Sequence, residues 1–472
     1  MGHPKFDLLT EKDLYQINST TLQILERVGV KVHSERALEL LSDSGATVDR
    51  KSSLVKIPEG LMDDVVKKPS NCTRLYGRDP KHDVTFGEGK VYVMTDSTGI
   101  KTSDINTDQV RTSTKEDLAQ GARLVDALEN IHVFSTMVDA LDYPEEVMRL
   151  EEFEAMLCNT TKNICHAAKG RDEAENLAKM ASAVAGSVEE LRKKPFYHLM
   201  QTPVSPLLHD NDNIEGVLGS APYEIPIAIL NMPQAGMTAP ITLAGTIALS
   251  NAEVLSGMLI AKLANPKVPL IYGTCATMSD VRVKSYTLTC GLAESGLIAA
   301  ANAQLAHHYG YPCIIGISFG SIQDDWISPL RIIPAVLAAK AKADIIFGVG
   351  LINRSTTLSF QQLVIDNDLA GMVLRGARGI EVNDETLSLD AISRVKPEGN
   401  FMSEKHTIKN IKKELYDPKV FDRVEPRDIL STAREKAKQM LASHRPEPLT
   451  DESRRQLRNI IKDATKRKLS SP

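Results

Sequence analysis

The sequence of 472 residues has few of the features that mark a secreted, membrane-bound or disulfide-stabilised protein. Its six cysteines are dispersed, and no two of them form a CxxC pair, so the spacing of common zinc and redox sites is absent. No uninterrupted apolar run reaches the roughly 18 residues that a bilayer-spanning helix requires. The polar N-terminus also lacks an apolar signal core. We therefore expect a cytoplasmic protein with reduced thiols and no membrane contact.

The charge and the glycine pattern of the sequence argue against nucleic-acid-binding and dinucleotide-binding proteins. A net charge of −5 gives no electrostatic reason to expect nucleic acid as a partner. No GxGxxG follows a strand-like segment, so a dinucleotide-binding fold loses its best support. After residue 400 the chain contains 18 Lys and Arg but only 11 Asp and Glu, which gives this part a net charge of +7. Such a stretch favours a solvated helical tail, and a docking surface for an acidic protein is the alternative.

The chain does contain a repeat of short apolar runs at spacings of about 30 to 45 residues, which fits one strand, one helix and two loops. The runs are rich in Val, Ile and Leu without strict alternation, as in strands buried on both faces. A strand-like segment at 91–94 precedes them. The predicted strands are 132–138, 163–168, 196–201, 226–232, 268–273, 313–318, 344–349 and, more weakly, 379–382. The helical patterns between them are 145–159, 171–185, 241–264, 292–309, 329–342 and 361–375.

Eight strand–helix units close a barrel more naturally than they fill an open sheet. We therefore predict an α/β fold, a (β/α)₈ TIM barrel at 111–385, in preference to a doubly wound sheet. A helical and β extension is expected at 1–110, and a helical extension at 386–472. Because both extensions are rich in helix, we also expect a homo-oligomer.

Reactive groups of a TIM barrel lie on the loops that follow the strands. The loop after 226–232 combines Asn231 with a glycine turn, which permits close approach of a ligand. The loop after 313–318 contains the only tryptophan, Trp326, near two carboxylates. Ring faces beside carboxylates suit a permanent cation, and simple packing of the ring is the alternative. Further rings at strand positions are Tyr92, Tyr272 and Phe347.

Two other patterns are weaker. The glycines at 348 and 350 follow a predicted strand and form either a phosphate cradle or a tight turn. Cys165 and His166 point to opposite faces of a strand, and His307 and His308 have no carboxylate or thiol one turn further along the helix. We therefore predict no protein-bound metal.

Several separated motifs carry a family resemblance. They are LENIH at 128–132, NTTK at 159–162, LAGT at 243–246, NAEVL at 251–255, NP at 265–266, PLIYG at 269–273, QQLVIDND at 361–368 and LRGARGIEV at 374–382. In this order they resemble the trimethylamine methyltransferase family over nearly the whole chain, from about residue 10 to about residue 440. The resemblance implies a (β/α)₈ barrel that passes a methyl group from a methylated amine to the cobalt of a separate corrinoid protein, with no tightly bound cofactor of its own.

The resemblance also bears on the substrate. Trimethylamine-specific members carry pyrrolysine in the region that corresponds to about 316–326, whereas this chain has ordinary residues there. Members without pyrrolysine look like demethylases of quaternary amines. Glycine betaine is the favoured substrate, with proline betaine, carnitine and γ-butyrobetaine as options. A phosphate-binding lyase or aldolase and a non-catalytic amine-binding protein are the alternatives.

A quaternary amine needs a cage for its charge, and a betaine needs a partner for its carboxylate. The residues assigned to catalysis, through a carboxylate that faces the ammonium, are Asp96 and Asp325. The residues assigned to substrate binding are Tyr92, Asn231, Tyr272, Arg282, Ser318, Phe319, Trp326, Phe347 and Arg354. The two arginines are the candidates for the carboxylate of a betaine.

Overall fold

Eight parallel strands close a barrel in the computed structural model, which describes residues 6–68, 70–280, 282, 292–317, 332–421 and 428–469. The strands are β1 (Tyr92–Thr95), β2 (Val133–Ser135), β3 (Asn163–His166), β4 (Tyr197–Gln201), β5 (Ile227–Asn231), β6 (Leu270–Thr274), β7 (Cys313–Gly316) and β8 (Ile345–Val349). Each strand pairs with the next, and β8 pairs with β1. The predicted TIM barrel is confirmed.

One long helix follows each strand on the outside of the barrel. The helices are α1 (Lys115–Ala127), α2 (Glu145–Asn159), α3 (Arg171–Ala185), α4 (Asn211–Ser220), α5 (Leu243–Ala264), α6 (Leu292–His308), α7 (Ile332–Lys340) and α8 (Phe360–Arg378). By length and composition alone, α5 is apolar enough to cross a membrane, yet 78% of its most apolar window is buried inside the molecule. It packs between the barrel and the N-terminal helix Glu11–Gln23, where Asn251 donates to the hydroxyl of Thr21.

The start of the barrel differs from the prediction. The first strand is β1, which pairs with β8 and β2, and it lies before the predicted boundary at residue 111. Residues 379–382 form no strand, and Ile380 is 80% exposed. The hairpin of Lys101–Ser103 and Val110–Thr112 separates β1 from α1. Tyr92 and Val133, the first residues of β1 and β2, are 41 positions apart, a spacing within the predicted repeat, so the strand-like segment at 91–94 is the first strand of the barrel and not part of the extension.

The N-terminal extension is a small α+β layer. Its α-helices are Glu11–Gln23, Glu35–Asp43 and Asp63–Val66, with a π-helical turn at Ile24–Val28 and a 3₁₀ turn at Glu59–Met62. The strands Thr47–Asp49, Leu54–Lys56, Val30–Val32 and Leu208–His209 form one four-stranded sheet. Since Leu208–His209 follows β4, this sheet ties the extension to the barrel.

Shorter elements decorate the barrel. The paired strands are Arg74–Leu75 with Val84–Thr85, and Gln234–Ala235 with Thr277–Met278. Leu351–Ile352, Thr357–Leu358, Lys101–Ser103 and Val110–Thr112 form a four-stranded sheet beside the carboxyl end of the barrel. The remaining short helices are Pro80–His82, Val188–Lys193 and Ala221–Tyr223.

The C-terminal extension is helical, as predicted. Its helices are Asp384–Leu387, Leu389–Val395, Lys405–Glu414, Ile429–Ser443 and Asp451–Leu469. The last helix packs on α2 and α3 and buries Leu457 and Ile461. Between the last two helices, His444 Nε2 lies 2.7 Å from Asp126 Oδ2 on α1. The end of the chain therefore covers the barrel on one face, where the sequence indicated a solvated tail.

Strand side chains alternate between the barrel interior and the layer of helices. The interior is apolar, with Met94, Val133, Cys165, Met200, Leu230, Ile271, Ile314, Ile345 and Phe347 all buried. Neighbours such as Val93, Phe134 and Tyr197 pack against the helices instead. This alternation decides which predicted site residues can reach a ligand at the carboxyl end of the barrel.

Candidate active site at the carboxyl end of the barrel

Asp96 directly follows β1 and is only 8% exposed. Its Oδ2 accepts a hydrogen bond from Ser355 Oγ at 2.6 Å, and its Oδ1 accepts one from the Ser97 N–H at 2.8 Å. Burial raises the pKa of Asp96 to about 6, although both hydrogen bonds favour the charged form. This end of the barrel therefore holds a carboxylate that is ionised at neutral pH in a site of low dielectric constant.

Cys275 lies within the electrostatic influence of Asp96, and Phe347 lies on the neighbouring strand β8, opposite Met94. A β-carbon on Gly316 at the end of β7 would lie 1.8 Å from Cys275 Sγ and 3.1 Å from Phe347 Cδ1, so these side chains fill the space that glycine leaves. Burial and the charge of Asp96 raise the pKa of the Cys275 thiol, which stays neutral. Phe347, predicted as a cage residue, therefore lies at the carboxyl end of the barrel with Asp96.

Tyr272 and Tyr92 were also predicted to bind the substrate, but neither ring lies inside the barrel at its carboxyl end, so the predicted cage is corrected. Tyr272 is fully buried, with its hydroxyl 3.2 Å from Asn251 Oδ1 on α5 and 3.1 Å from Asn302 Oδ1 on α6. It faces the helices because it is out of phase with the inward Ile271. Tyr92 starts β1 at the opposite end of the barrel, where its hydroxyl accepts from the Thr85 N–H at 3.2 Å.

Asn231 also faces the helices. Its Nδ2 donates to Glu253 Oε2 at 2.7 Å and to the Ser250 carbonyl at 2.9 Å. Glu253 in turn accepts from Ser205 Oγ at 2.8 Å and from the Leu207 N–H at 2.9 Å. Asn231 thus fixes α5 against the loop after β4 and does not face the barrel interior, contrary to the predicted ligand contact.

The two predicted arginines differ in position. Arg282 is 87% exposed in its side chain and pairs with Asp280 through two hydrogen bonds of 2.8 and 2.7 Å. Among the described residues it has no contact with Asp96 or Phe347. Arg354 is exposed in the turn between Leu351–Ile352 and Thr357–Leu358, directly before Ser355. Its backbone is therefore close to the Asp96 carboxylate.

The remaining predicted residues lie outside the described part of the chain. They are Ser318, Phe319, Asp325 and Trp326.

The glycine turn after β8 is not a phosphate cradle. The Gly350 N–H donates to Asp366 Oδ2 at 2.7 Å. A β-carbon at Gly350 would meet Leu363 Cδ2 at 2.4 Å and Met137 Cε at 2.5 Å. A carboxylate and apolar side chains already occupy the surroundings of this turn, so its role is close packing against α8.

Sequence reasoning missed a buried polar cluster around Glu152 on α2. Its Oε1 accepts from the Ala140 N–H at 2.9 Å, and its Oε2 lies 3.5 Å from His166 Nε2. Burial, followed by the charge of Asp139, raises the pKa of Glu152 to about 8. Burial also lowers the pKa of His166 to about 3. Glu152 lies one turn from the apolar Met148 and Met156, and this spacing was the available signal that it faces inward.

Comparisons with known proteins bear on the family to which the chain belongs. The sequence model of the family described as trimethylamine methyltransferase (MTTB) matches residues 1–470. Trimethylamine methyltransferase MttB of Desulfitobacterium hafniense (strain DSM 10664 / DCB-2) is 32% identical over 464 residues, which cover 96% of this chain and 93% of the relative. Glycine betaine methyltransferase of D. hafniense (strain Y51) is 28% identical over 472 residues, or 97% of each chain.

Among solved structures, the monomethylamine methyltransferase MtmB of Methanosarcina barkeri is similar with a TM-score of 0.46 and 11% identity, over 97% of this chain and 94% of that one. The match of the family model and the full-length relatives decide the assignment. The chain belongs to the trimethylamine methyltransferase family.

Proposed function

We propose that this protein transfers a methyl group from a quaternary amine, with glycine betaine favoured, to the Co(I) of a separate corrinoid protein. The observation that carries the proposal is the buried carboxylate of Asp96 at the carboxyl end of the barrel, with Phe347 on the neighbouring strand. A relative of similar length is a glycine betaine methyltransferase. The ordinary residues at 316–326 also favour a substrate other than trimethylamine.

The chemistry explains why a carboxylate and ring faces are sufficient. In glycine betaine one N–CH₃ bond breaks, and its electron pair stays on nitrogen to leave neutral dimethylglycine nitrogen. The methyl carbon forms a bond to cobalt, which is formally oxidised from Co(I) to Co(III). No proton moves, so the protein needs no general acid or base for this step. Its contribution is to hold one desolvated methyl group in line with the metal.

The charge of Asp96 acts mainly in binding. The positive charge of the substrate decreases as the C–N bond breaks, so a facing carboxylate stabilises the bound substrate at least as well as the transition state. A quaternary nitrogen has no N–H, and its attraction to Asp96 and to the face of Phe347 is purely electrostatic. We therefore expect Asp96 to lower the KM for the amine without raising kcat.

The rest of the cage is an extension of this proposal. Phe319, Trp326, Asp325 and Ser318 would complete it from the loop after β7. Arg354 would pair with the carboxylate of a betaine, because it adjoins Ser355 and thereby Asp96. Among the alternatives, the phosphate-binding lyase or aldolase is disfavoured. The Gly350 N–H that would bind its phosphate already donates to Asp366.

Methyl transfer to free cob(I)alamin tests the proposal without a known partner protein. The purified chain is mixed with reduced cobalamin and with glycine betaine, proline betaine, carnitine, γ-butyrobetaine or trimethylamine. We expect the absorption of methylcobalamin to replace that of cob(I)alamin with a betaine and not with trimethylamine. Tight betaine binding without methyl transfer would instead support the non-catalytic amine-binding protein, and activity with trimethylamine alone would contradict the substrate class.

A further inference from the structure

Three side chains with metal-binding groups meet at the amino end of the barrel, opposite Asp96. They are His307 in the last turn of α6, Cys313 at the start of β7 and Asp344 directly before β8. His307 Nε2 lies 2.8 Å from Asp344 Oδ2 and 3.9 Å from Cys313 Sγ. One ligand atom from each residue lies within 4.8 Å of the other two.

The barrel holds these groups in fixed positions. Asp344 Oδ2 accepts from the Cys313 N–H at 3.0 Å, and the Asp344 carbonyl accepts from the Tyr92 N–H at 2.8 Å. Cys313 and Asp344 are buried, and His307 is partly buried. Within the described residues, the buried Nδ1 of His307 has no hydrogen-bond partner. The three donors are therefore brought together by the folded barrel and not by a flexible loop.

A cavity of about 320 Å³ adjoins the cluster and is lined by His307 and Asp344. Cys72 and Tyr311 form other parts of its wall. Lys342 also lines this cavity, but its ammonium donates to the Ala377 carbonyl at 2.8 Å. Water and a small ion can therefore reach His307 and Asp344, and Cys313 lies behind them, with its Sγ 3.9 Å from His307 Nε2.

We propose that His307, Cys313 and Asp344 bind a Zn²⁺ ion, with water from the cavity as the fourth ligand. Thiolate, imidazole and carboxylate together form a donor set that suits zinc. Tetrahedral zinc requires ligand atoms roughly 3.3 to 3.6 Å apart, and the observed 2.8 and 3.9 Å lie on either side of that range. The ion takes the place of the hydrogen between His307 Nε2 and Asp344 Oδ2, the neutral imidazole then carries its proton on Nδ1, and the Cys313 thiol releases its proton to solvent.

The position of the site indicates its role. The amino end of a TIM barrel contributes stability, whereas chemistry lies at the other end. The ion would link the end of α6 to β7 and β8. This inference does not depend on the proposed methyl transfer, because none of its ligands lies at the carboxyl end.

Co²⁺ is a suitable probe, because a thiolate ligand gives it a charge-transfer band and a tetrahedral site gives it intense visible absorption. The reduced, chelator-treated full chain is titrated with CoCl₂. We expect one equivalent to bind, Zn²⁺ to displace it, and Zn²⁺ at a hundredfold excess over Kd to raise the Tm by about 2–3 °C. Absence of the thiolate band in the wild-type chain would overturn the proposal.

Variants assign the ligands. Cys313→Ser should abolish the charge-transfer band, and His307→Gln should weaken Co²⁺ binding at least about tenfold. Cys158→Ser is the matched control, since Cys158 is a partly buried thiol on α2 outside the cluster, and its spectrum should equal that of the wild type. Circular dichroism and size-exclusion chromatography check that each variant is folded. A spectrum unchanged by both Cys313→Ser and His307→Gln would refute the site.

Discussion

Asp96 is the residue whose charge the proposed reaction uses most directly. Replacing it in Asp96→Asn removes the charge and keeps the shape, so the KM for glycine betaine should rise about tenfold, which corresponds to about 1.4 kcal/mol. The kcat should change much less, because the substrate loses its charge in the reaction. Steady-state kinetics separates the two effects. An unchanged KM would show that Asp96 does not face the ammonium.

The pH dependence gives a second view of the same residue. Because the pKa of Asp96 is raised to about 6, the carboxyl is charged above that pH and neutral below it. The KM should therefore increase as the pH falls through about 6. Ser355→Ala removes a hydrogen bond that lowers this pKa, so the increase should begin at a higher pH. In Asp96→Asn the KM should not vary over this range, and a midpoint at lower pH in Ser355→Ala would contradict the assignment.

For individual residues, the sequence predicted which of them lie near the ends of strands. It predicted less well whether their side chains point into the barrel or towards the helices. Asp96 and Phe347 were identified because each falls at the carboxyl end of a strand. Tyr272 and Asn231 were equally close to strand ends but face the helices. Strands buried on both faces are apolar on both, so their sequence does not reveal which residues point inward. The His307, Cys313 and Asp344 cluster was missed for another reason, since only the closed barrel brings these residues together.

Helix α1 ends in an unusual contact with a buried lysine. Lys162 is 2% exposed, and its ammonium donates to the carbonyls of Val125, Leu128 and Ile131. Burial lowers its pKa to about 7. Lys162→Met removes the ammonium from all three carbonyls, of which only Val125 keeps another donor within the described part of the chain, the Leu128 N–H. The change should destabilise the fold by about 3 kcal/mol, or about 3 °C in Tm for a chain of this length.

The control for this change is Lys169→Met. Lys169 is exposed and forms a surface ion pair with Glu145, which contributes at most about 1 kcal/mol. Differential scanning fluorimetry of both variants should show a loss of Tm only in Lys162→Met. Equal losses would mean that the three carbonyl contacts do not stabilise the helix end.

Glu152 on α2 should make stability depend on pH. Its folded pKa of about 8 lies above the ordinary value of 4.5, so the folded chain keeps a proton that the unfolded chain releases between these values. The stability from this proton is complete below about pH 4.5 and is lost as the pH rises through about 8. The Tm of the wild type should therefore fall more between pH 5 and pH 9 than that of Glu152→Gln. Parallel curves for the two proteins would exclude this origin.

The helices α2 and α3 begin and end at the predicted residues, whereas α1 and α4 were not predicted. The first barrel strand was assigned to the N-terminal extension. Its spacing to β2 fits the repeat, but no helix was predicted between these two strands, where a hairpin precedes α1. The sequence also predicted a strand at 379–382, although Ile380 and Val382 are mostly exposed. Short apolar segments do not distinguish a buried strand from a surface connection without knowledge of their neighbours.

In the whole molecule, the two ends of the barrel have different expected roles, substrate binding at one and metal binding at the other. The carboxyl end holds Asp96 and Phe347, and the amino end holds the proposed zinc ligands. Removal of zinc should therefore lower the Tm while the KM for glycine betaine stays the same at a temperature where the chain is folded. A parallel loss of both would show that the two ends are not independent.

Assembly is a further property of the whole chain. We expect a homo-oligomer, and light scattering coupled to size-exclusion chromatography measures it directly. The expected mass is a multiple of the 51.8 kDa of one chain. A mass of one chain at micromolar concentration would contradict this expectation.

The central claim is that a methyl group leaves a quaternary nitrogen at the carboxyl end of the barrel. The most direct measurement uses glycine betaine with three deuterated methyl groups, cob(I)alamin as acceptor and mass spectrometry of both products. The account predicts one deuterated methylcobalamin for each dimethylglycine, with no product when trimethylamine replaces the betaine. Absence of dimethylglycine, or methylcobalamin formed from trimethylamine, would contradict it.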